Sequence, residues 1–235
     1  NEKTYAVAAQ PLDTVRIMAP IPHVERNIFC IGKNYADHIA EFDKTAVPEL
    51  PKYPMIFTKA TTSVIGPDDL IDPHKNVTSA LDYEGELPVI IGKEGSDIPV
   101  GEAMDYVYGF TILNDVTARD LQANHGQWFH GKSLDTFCPM GPFLLLRDAA
   151  PDTFTVVTKV NGEVRQDATT GEFIFTIPQL IQTLSQGTTL LPGDIIATGT
   201  PSGVGVGFNP PKFIHSGDVV EISISDIGTL TNKVK

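Results

Sequence analysis

Apolar residues along this chain fall in short runs separated by glycine, proline and polar turns. Ile28 to Ile31 reads as a strand, Gly32 as a break, and Tyr35 to Phe42 as a short helix. Prolines at 48, 51 and 54 make 43–54 a loop or flap, after which PMIFTKATTSVIG regains strand character. LDYEGELPVIIG and YVYGFTILND have the texture of strand, turn and strand. Beyond Asp115, the run VTARDLQANHGQWF loses its β-branched density and predicts a helix. FLLLRD, FTVVTKVNGE and FIFTI predict further strands, and IPQLIQTLSQG predicts a helix that Gly187 ends. The tail, DIIATGTPSGVGVGF and DVVEISISDIGTLTNKV, returns to strand and glycine-rich loop. The pattern predicts a mixed, β-rich α+β fold with a few short helices and no internal repeat.

Composition narrows the class. At 235 residues, with 41% hydrophobic and 20% charged positions, the chain can bury a sizeable core. No stretch approaches the roughly 20 apolar residues of a membrane helix, so no membrane partner is expected. A net charge of −12 without a basic stripe argues against nucleic acid. It leaves an anionic substrate open, because a metal ion and a few cations can invert the local field. Two cysteines, Cys30 and Cys138, suit a reducing compartment and predict a cytoplasmic protein. The chain begins at Asn1 rather than Met, which also fits an organellar matrix protein whose leader was removed.

Five groups of residues could carry chemistry. In Asp82-Tyr83-Glu84-Gly85-Glu86, strand geometry puts Glu84 and Glu86 on one face. Paired carboxylates repel unless a cation intervenes, and oxygen ligands suit Mg²⁺, Mn²⁺ or Ca²⁺; the alternative is a solvated strand face. Asp115 ends an apolar run just before the predicted helix, as a ligand or an N-cap. Arg119 and Gln122 share a helical face beyond it, able to orient a carboxylate or to form a solvated stripe. His38 and Glu41, three apart in a short helix, read as a general base with its orienting carboxylate, or as a surface ion pair. Lys132 is a fixed positive charge in a cleft or an exposed loop lysine. The glycine-rich run from Thr198 to Gly207 lacks a P-loop ending, which leaves a small-carboxylate nest or a tight turn.

Taken in order, IFCIGKNYADHIAEF, DYEGEL, GFTILNDVTARDLQ, GKSLDTFCPMGP, LLPGDIIATGTPSGVG and DVVEISISDIGTLTN resemble the fumarylacetoacetate hydrolase family from about Asn27 to the C-terminus. The resemblance implies a β-sandwich roll over 21–235, with 1–20 the remnant of an N-terminal extension, and a homodimer. It implies a metal, typically Mg²⁺, on Glu84, Glu86 and Asp115. Lys132 matches the family lysine, Thr200 (after Gly199) the TGTP threonine, and Arg119 and Gln122 the substrate-binding pair. His38 and Glu41 match a water-activating His-x-x-Glu pair on a closing lid, spanning 40–55. Lys33 departs from the arginine many members carry.

The function this implies is Mg²⁺-dependent hydrolytic C–C cleavage of an acylpyruvate-type 1,3-diketo acid through an enolate, with His38 and Glu41 activating water. The same enolate serves tautomerisation or decarboxylation of oxaloacetate and isomerisation of 2-hydroxyhepta-2,4-diene-1,7-dioate. A reading of another class is a non-catalytic binder of small 2-oxo acids.

Overall fold

The computed structural model describes residue 11 and residues 14–26, 28–42 and 49–235. Positions 1–10 of the N-terminal extension, and 43–48 of the expected flap, lie outside the described residues. The first strands are β1 (Ile28–Gly32), β2 (Met55–Lys59), β3 (Val64–Ile65), β4 (Leu70–Ile71) and β5 (Leu81–Asp82). Next come β6 (Gly85–Glu86), β7 (Pro88–Ile91), β8 (Val107–Asn114), β9 (Thr117–Ala118) and β10 (Cys138–Leu146). The last are β11 (Thr155–Val160), β12 (Glu163–Thr169), β13 (Ile195–Ala197), β14 (Val219–Ile224) and β15 (Gly228–Val234). Four α-helices lie among the described residues: α1 (Ala36–Phe42), α2 (Arg119–Asn124), α3 (Phe129–Lys132) and α4 (Ile177–Ser185). None is long and apolar enough to cross a membrane.

The larger sheet runs β2-β1-β13-β7-β8-β10-β3, with β6 also paired to β8. Its two edge strands, β2 and β3, are consecutive in the chain and separated by one turn over Thr61–Ser63. With so short a connection between its two edges, the sheet curls into a half-barrel. Its central strands β7, β8 and β13 are buried on both faces, which is why PVII, FTIL and IIA read as unbroken apolar runs. Alternation sends Ile31, Val89, Ile112 and Ile196 to one core and Cys30, Ile90, Leu113 and Ala197 to the other. The first core is shared with a smaller sheet, β12-β11-β14-β15-β4, which is apolar on one face only. In VVEISI every second residue is buried. The observed fold is the β-rich α+β roll that the sequence predicts.

Three local expectations change. The helix after Asp115 begins only at Arg119, because Thr117–Ala118 first pairs with Leu81–Asp82 as β9; it then breaks at 125–128 into α2 and α3. Asp115 is therefore no N-cap; Ala118 holds that position without a side-chain bond. FIFTI forms no strand: after a turn over Thr170–Glu172, Phe173 makes a single bridge to Tyr35, and Thr176 caps α4. The run is too short to extend a ladder once the capping box claims its end.

Candidate metal centre and its cavity

Register builds the acidic centre. Gly85 pairs with Asn114 and Glu86 with Leu113 in the antiparallel β6–β8 ladder. One step further, the Asp115 N–H donates to the Glu84 carbonyl at 2.8 Å, and Glu84 N–H donates to the Asn114 side chain at 3.0 Å. Glu84, Glu86 and Asp115 thus meet with carboxylate oxygens within 4.8 Å of one another, all buried. Asp115 arrives through the ladder that pairs it with Glu84.

Three buried cations surround these anions. Lys132 Nζ donates to Glu84 Oε2 at 2.7 Å and Asp115 Oδ2 at 2.8 Å. Lys59 Nζ donates to Asp115 Oδ1 at 2.5 Å and to the Val116 and Lys132 carbonyls. Arg119 bridges Glu84 Oε1 at 2.7 Å and Asp82 Oδ2 at 2.8 Å. Asp82, Glu84, Glu86 and Asp115 therefore face Lys59, Arg119 and Lys132, all buried, so one negative charge is left over. The carboxylate left without a cation of its own is Glu86, which accepts the Gly199 N–H at 2.8 Å. Burial, then the nearby Asp115 and Glu84, push the Glu86 carboxyl well above its usual range. Burial also pushes Glu84 up, but Lys132, Arg119 and then His38 outweigh it and hold that carboxyl low. For Lys132 burial works downward and is overcome by Asp115 and Glu84, so it stays an ammonium.

A hard divalent cation fits this donor set. The ligands are all oxygen, buried and convergent, and the surplus anion is what such an ion would neutralise. With a 2+ charge added, four carboxylates would face five positive charges, a site suited to an anionic substrate.

The centre opens into a cavity of about 420 Å³ lined by Ile31, Lys33, His38, Glu84, Arg119, Gln122, Lys132 and Thr200, among others. His38 Nδ1 lies 3.0 Å from Glu41 Oε2, and Glu41 Oε1 accepts the Gly203 N–H at 2.6 Å. The pair is enclosed, not a surface ion pair: His38 is 6% exposed. Gln122 accepts from Arg119 at 3.1 Å. Thr200 donates to the Gly85 carbonyl and accepts from Gln166. Gly199, like Glu41, Glu86 and Asp115, is absent from the cavity lining, and its N–H is taken by Glu86.

A family model described as Fumarylacetoacetate (FAA) hydrolase C-terminal matches residues 27–235. The chain belongs to the fumarylacetoacetate hydrolase family. Oxaloacetate tautomerase YisK of Bacillus subtilis is 55% identical over 225 residues, covering 95% of this chain and 74% of that one. A solved fumarylacetoacetate hydrolase from Exiguobacterium antarcticum is 48% identical, with a TM-score of 0.85 over 94% of this chain and 78% of that one. A 2-hydroxyhepta-2,4-diene-1,7-dioate isomerase from Mycobacterium marinum is 41% identical, with a TM-score of 0.81 over 96% and 79%.

In this family member several residues at the site escape sequence reasoning. Lys59 ends an apolar strand, and only its parity with Phe57, two residues back, hints that it points inward. Asp82 accepts Arg119, the Gly205 N–H at 2.7 Å and the Val206 N–H at 2.9 Å. Gln166 accepts the Gly85 N–H, and its amide donates to Thr200 and the Pro201 carbonyl. Asp82 opens the DYEGEL motif but gains its role only through the loops it binds, and no motif signals Gln166.

Proposed function

We propose that this protein is a divalent-metal-dependent tautomerase of a small 2-oxo dicarboxylic acid, with oxaloacetate as substrate. The observation that carries this reading is one cavity lined by both Glu84, a member of the buried acidic triad, and His38, which Glu41 holds from behind. Glu84, Glu86 and Asp115 would hold the ion, Mg²⁺ or Mn²⁺, which supplies Lewis acidity toward a 2-oxo group. The likeness to a named oxaloacetate tautomerase supports the choice of substrate.

The chain's own groups divide the work. With Glu41 accepting from Nδ1, His38 presents the lone pair of Nε2 to the cavity and takes a proton from C3 of the substrate. Lys132, held as an ammonium, is an electrostatic donor rather than a base, and it stabilises charge that develops on the 2-oxo oxygen. Arg119 Nη2 is buried without a partner while its sister nitrogens are engaged, so it is a donor in waiting for a substrate carboxylate. Gln122 fixes the plane of that guanidinium.

A second reading keeps the same site. The short His38–Glu41 contact equally suits water activation, which favours hydrolytic C–C cleavage of acylpyruvates. Decarboxylation of oxaloacetate and isomerisation of hydroxy-diene dioates need the same C3 carbanion. Oxaloacetate enol-to-keto exchange and pyruvate release from acetylpyruvate, each assayed with Mg²⁺, Mn²⁺ and EDTA, separate them. Metal-dependent exchange lost in His38→Ala supports the tautomerase. Acetylpyruvate cleavage without oxaloacetate exchange overturns it in favour of the hydrolase.

A further inference from the structure

Glu84 of the triad, Lys132 and His38 line the cavity, and much of the remaining lining is apolar. Lys132 Nζ lies 5.3 Å from the centroid of the Phe57 ring. Phe57 in turn stands edge to face with Trp128, centroids 5.3 Å apart. The Trp128 ring packs so closely over Gly32 that a β-carbon there would lie 2.5 Å from it. Phe42 stands edge-on to His38 at 5.2 Å, and Ile31 and Val206 also line the space. An aromatic wall thus starts beside the reacting end and continues one ring further out. None of these rings has a part in the proton transfer.

A cavity of about 420 Å³ is the size that encloses drug-sized ligands. Oxaloacetate, with one methylene between its ends, leaves that wall uncovered. We propose that Phe57 and Trp128 form a subsite for a flat apolar substituent on C3 of a 2-oxo acid, so that the protein also tautomerises arylpyruvates. The inference rests on the tautomerase reading for its chemistry, but on the aromatic wall for its substrate. The step balances without a co-reactant: the C3–H bond breaks, its proton passes to His38, the C2–C3 double bond forms, and His38 gives a proton back to the 2-oxo oxygen and is neutral again. The aryl ring takes the place of the distal carboxylate, edge to face against Trp128 and Phe57, and leaves water.

Trp128 is the only tryptophan in the chain, so its emission reports directly on this wall. The Mn²⁺-loaded protein is titrated with phenylpyruvate and with oxaloacetate, following emission and keto–enol exchange of both acids. The expected result is phenylpyruvate turnover and a metal-dependent change in emission. The ratio of kcat/KM for phenylpyruvate to that for oxaloacetate should fall at least about tenfold in Trp128→Ala and Phe57→Leu. Trp128→Phe, which keeps a ring and guards against loss of fold, should restore most of the ratio. Oxaloacetate exchange with neither turnover nor binding of phenylpyruvate overturns the subsite and leaves the tautomerase reading standing. Metal-dependent quenching by phenylpyruvate without exchange of either acid upholds the subsite and sinks the tautomerase.

Discussion

Replacing Lys59 by Met removes the cation packed beneath Asp115. Both side chains are fully buried, at 0% exposure. Methionine keeps most of the volume, so the cost is electrostatic rather than a cavity. Breaking a buried ion pair outright costs about 3–5 kcal/mol. Asp115 keeps Lys132 at 2.8 Å, which lowers that figure. The Val116 and Lys132 carbonyls lose a donor at about 1 kcal/mol each, which restores it. In a chain of 235 residues, 3–5 kcal/mol corresponds to a Tm lower by roughly 6–20 °C. The same change leaves four buried carboxylates facing Arg119 and Lys132 alone, so the pull on a divalent cation grows. Stabilisation by a ligand rises as its Kd falls. Differential scanning fluorimetry in EDTA and in saturating Mn²⁺ should therefore show a lower metal-free Tm and a larger Mn²⁺-induced gain than in the unaltered protein. A metal-free Tm within about 2 °C of it, less than 1 kcal/mol, would refute the role assigned to Lys59. So would a smaller Mn²⁺ gain.

Asp115→Asn removes a ligand and the partner of two lysines; metal-dependent Tm gain and turnover should both vanish, and survival of either sinks the acidic centre. Folding favours protonated Glu86, whose carboxyl is raised above 4.5, so its contribution is complete below that pH and is lost as pH rises through the raised value. The EDTA-stripped protein should accordingly lose Tm as pH rises above about 4.5, and Glu86→Gln should flatten the curve; a rising Tm would contradict the assignment. Glu41→Gln leaves His38 in place without its orienting charge, and kcat should drop by about 10²–10⁴ with little change in KM; an equal effect on KM would make Glu41 a binding residue. Gly203→Ala places a β-carbon 1.8 Å from the Arg165 carbonyl at φ +101°, and should cost at least about 2 kcal/mol by urea titration.

The roll was legible wherever a strand is buried on both faces. PVII, FTIL and IIA could be little else, and the half-buried VVEISI showed its alternation. Helix α4 was legible because its terminal Gly187, at φ +67°, is a local signal, whereas the capping box of Thr176 and Gln179 was passed over when FIFTI read as a strand. The stretch after Asp115 was misjudged because β9 exists only through its partner β5, 35 residues earlier at the Asp82–Thr117 pair. The site divides the same way. Glu84 and Glu86 follow from strand parity and His38–Glu41 from helical spacing, whereas Asp115 needed the β6–β8 register. Lys59 and Gln166 needed loops closed by the whole fold. Long-range pairing is what a single sequence does not display.

The hydrogen bonds also link the two halves of the site. Asp82 holds Arg119, which holds Glu84, and Asp82 also accepts the N–H groups of Tyr83, Gly205 and Val206. The same loop offers the Gly203 N–H to Glu41, and a β-carbon on Gly207 would fall 2.4 Å from the Glu41 carboxylate. Gly199, where the loop starts, binds Glu86. One glycine-rich segment therefore touches two members of the acidic centre, directly or through Arg119, and the base's partner as well. Side chains at these turns would block the approach, which accounts for the glycines without a phosphate to bind. The acidic centre and the His38–Glu41 pair are thereby held by one segment, and the run that resembles an anion nest is a brace between them.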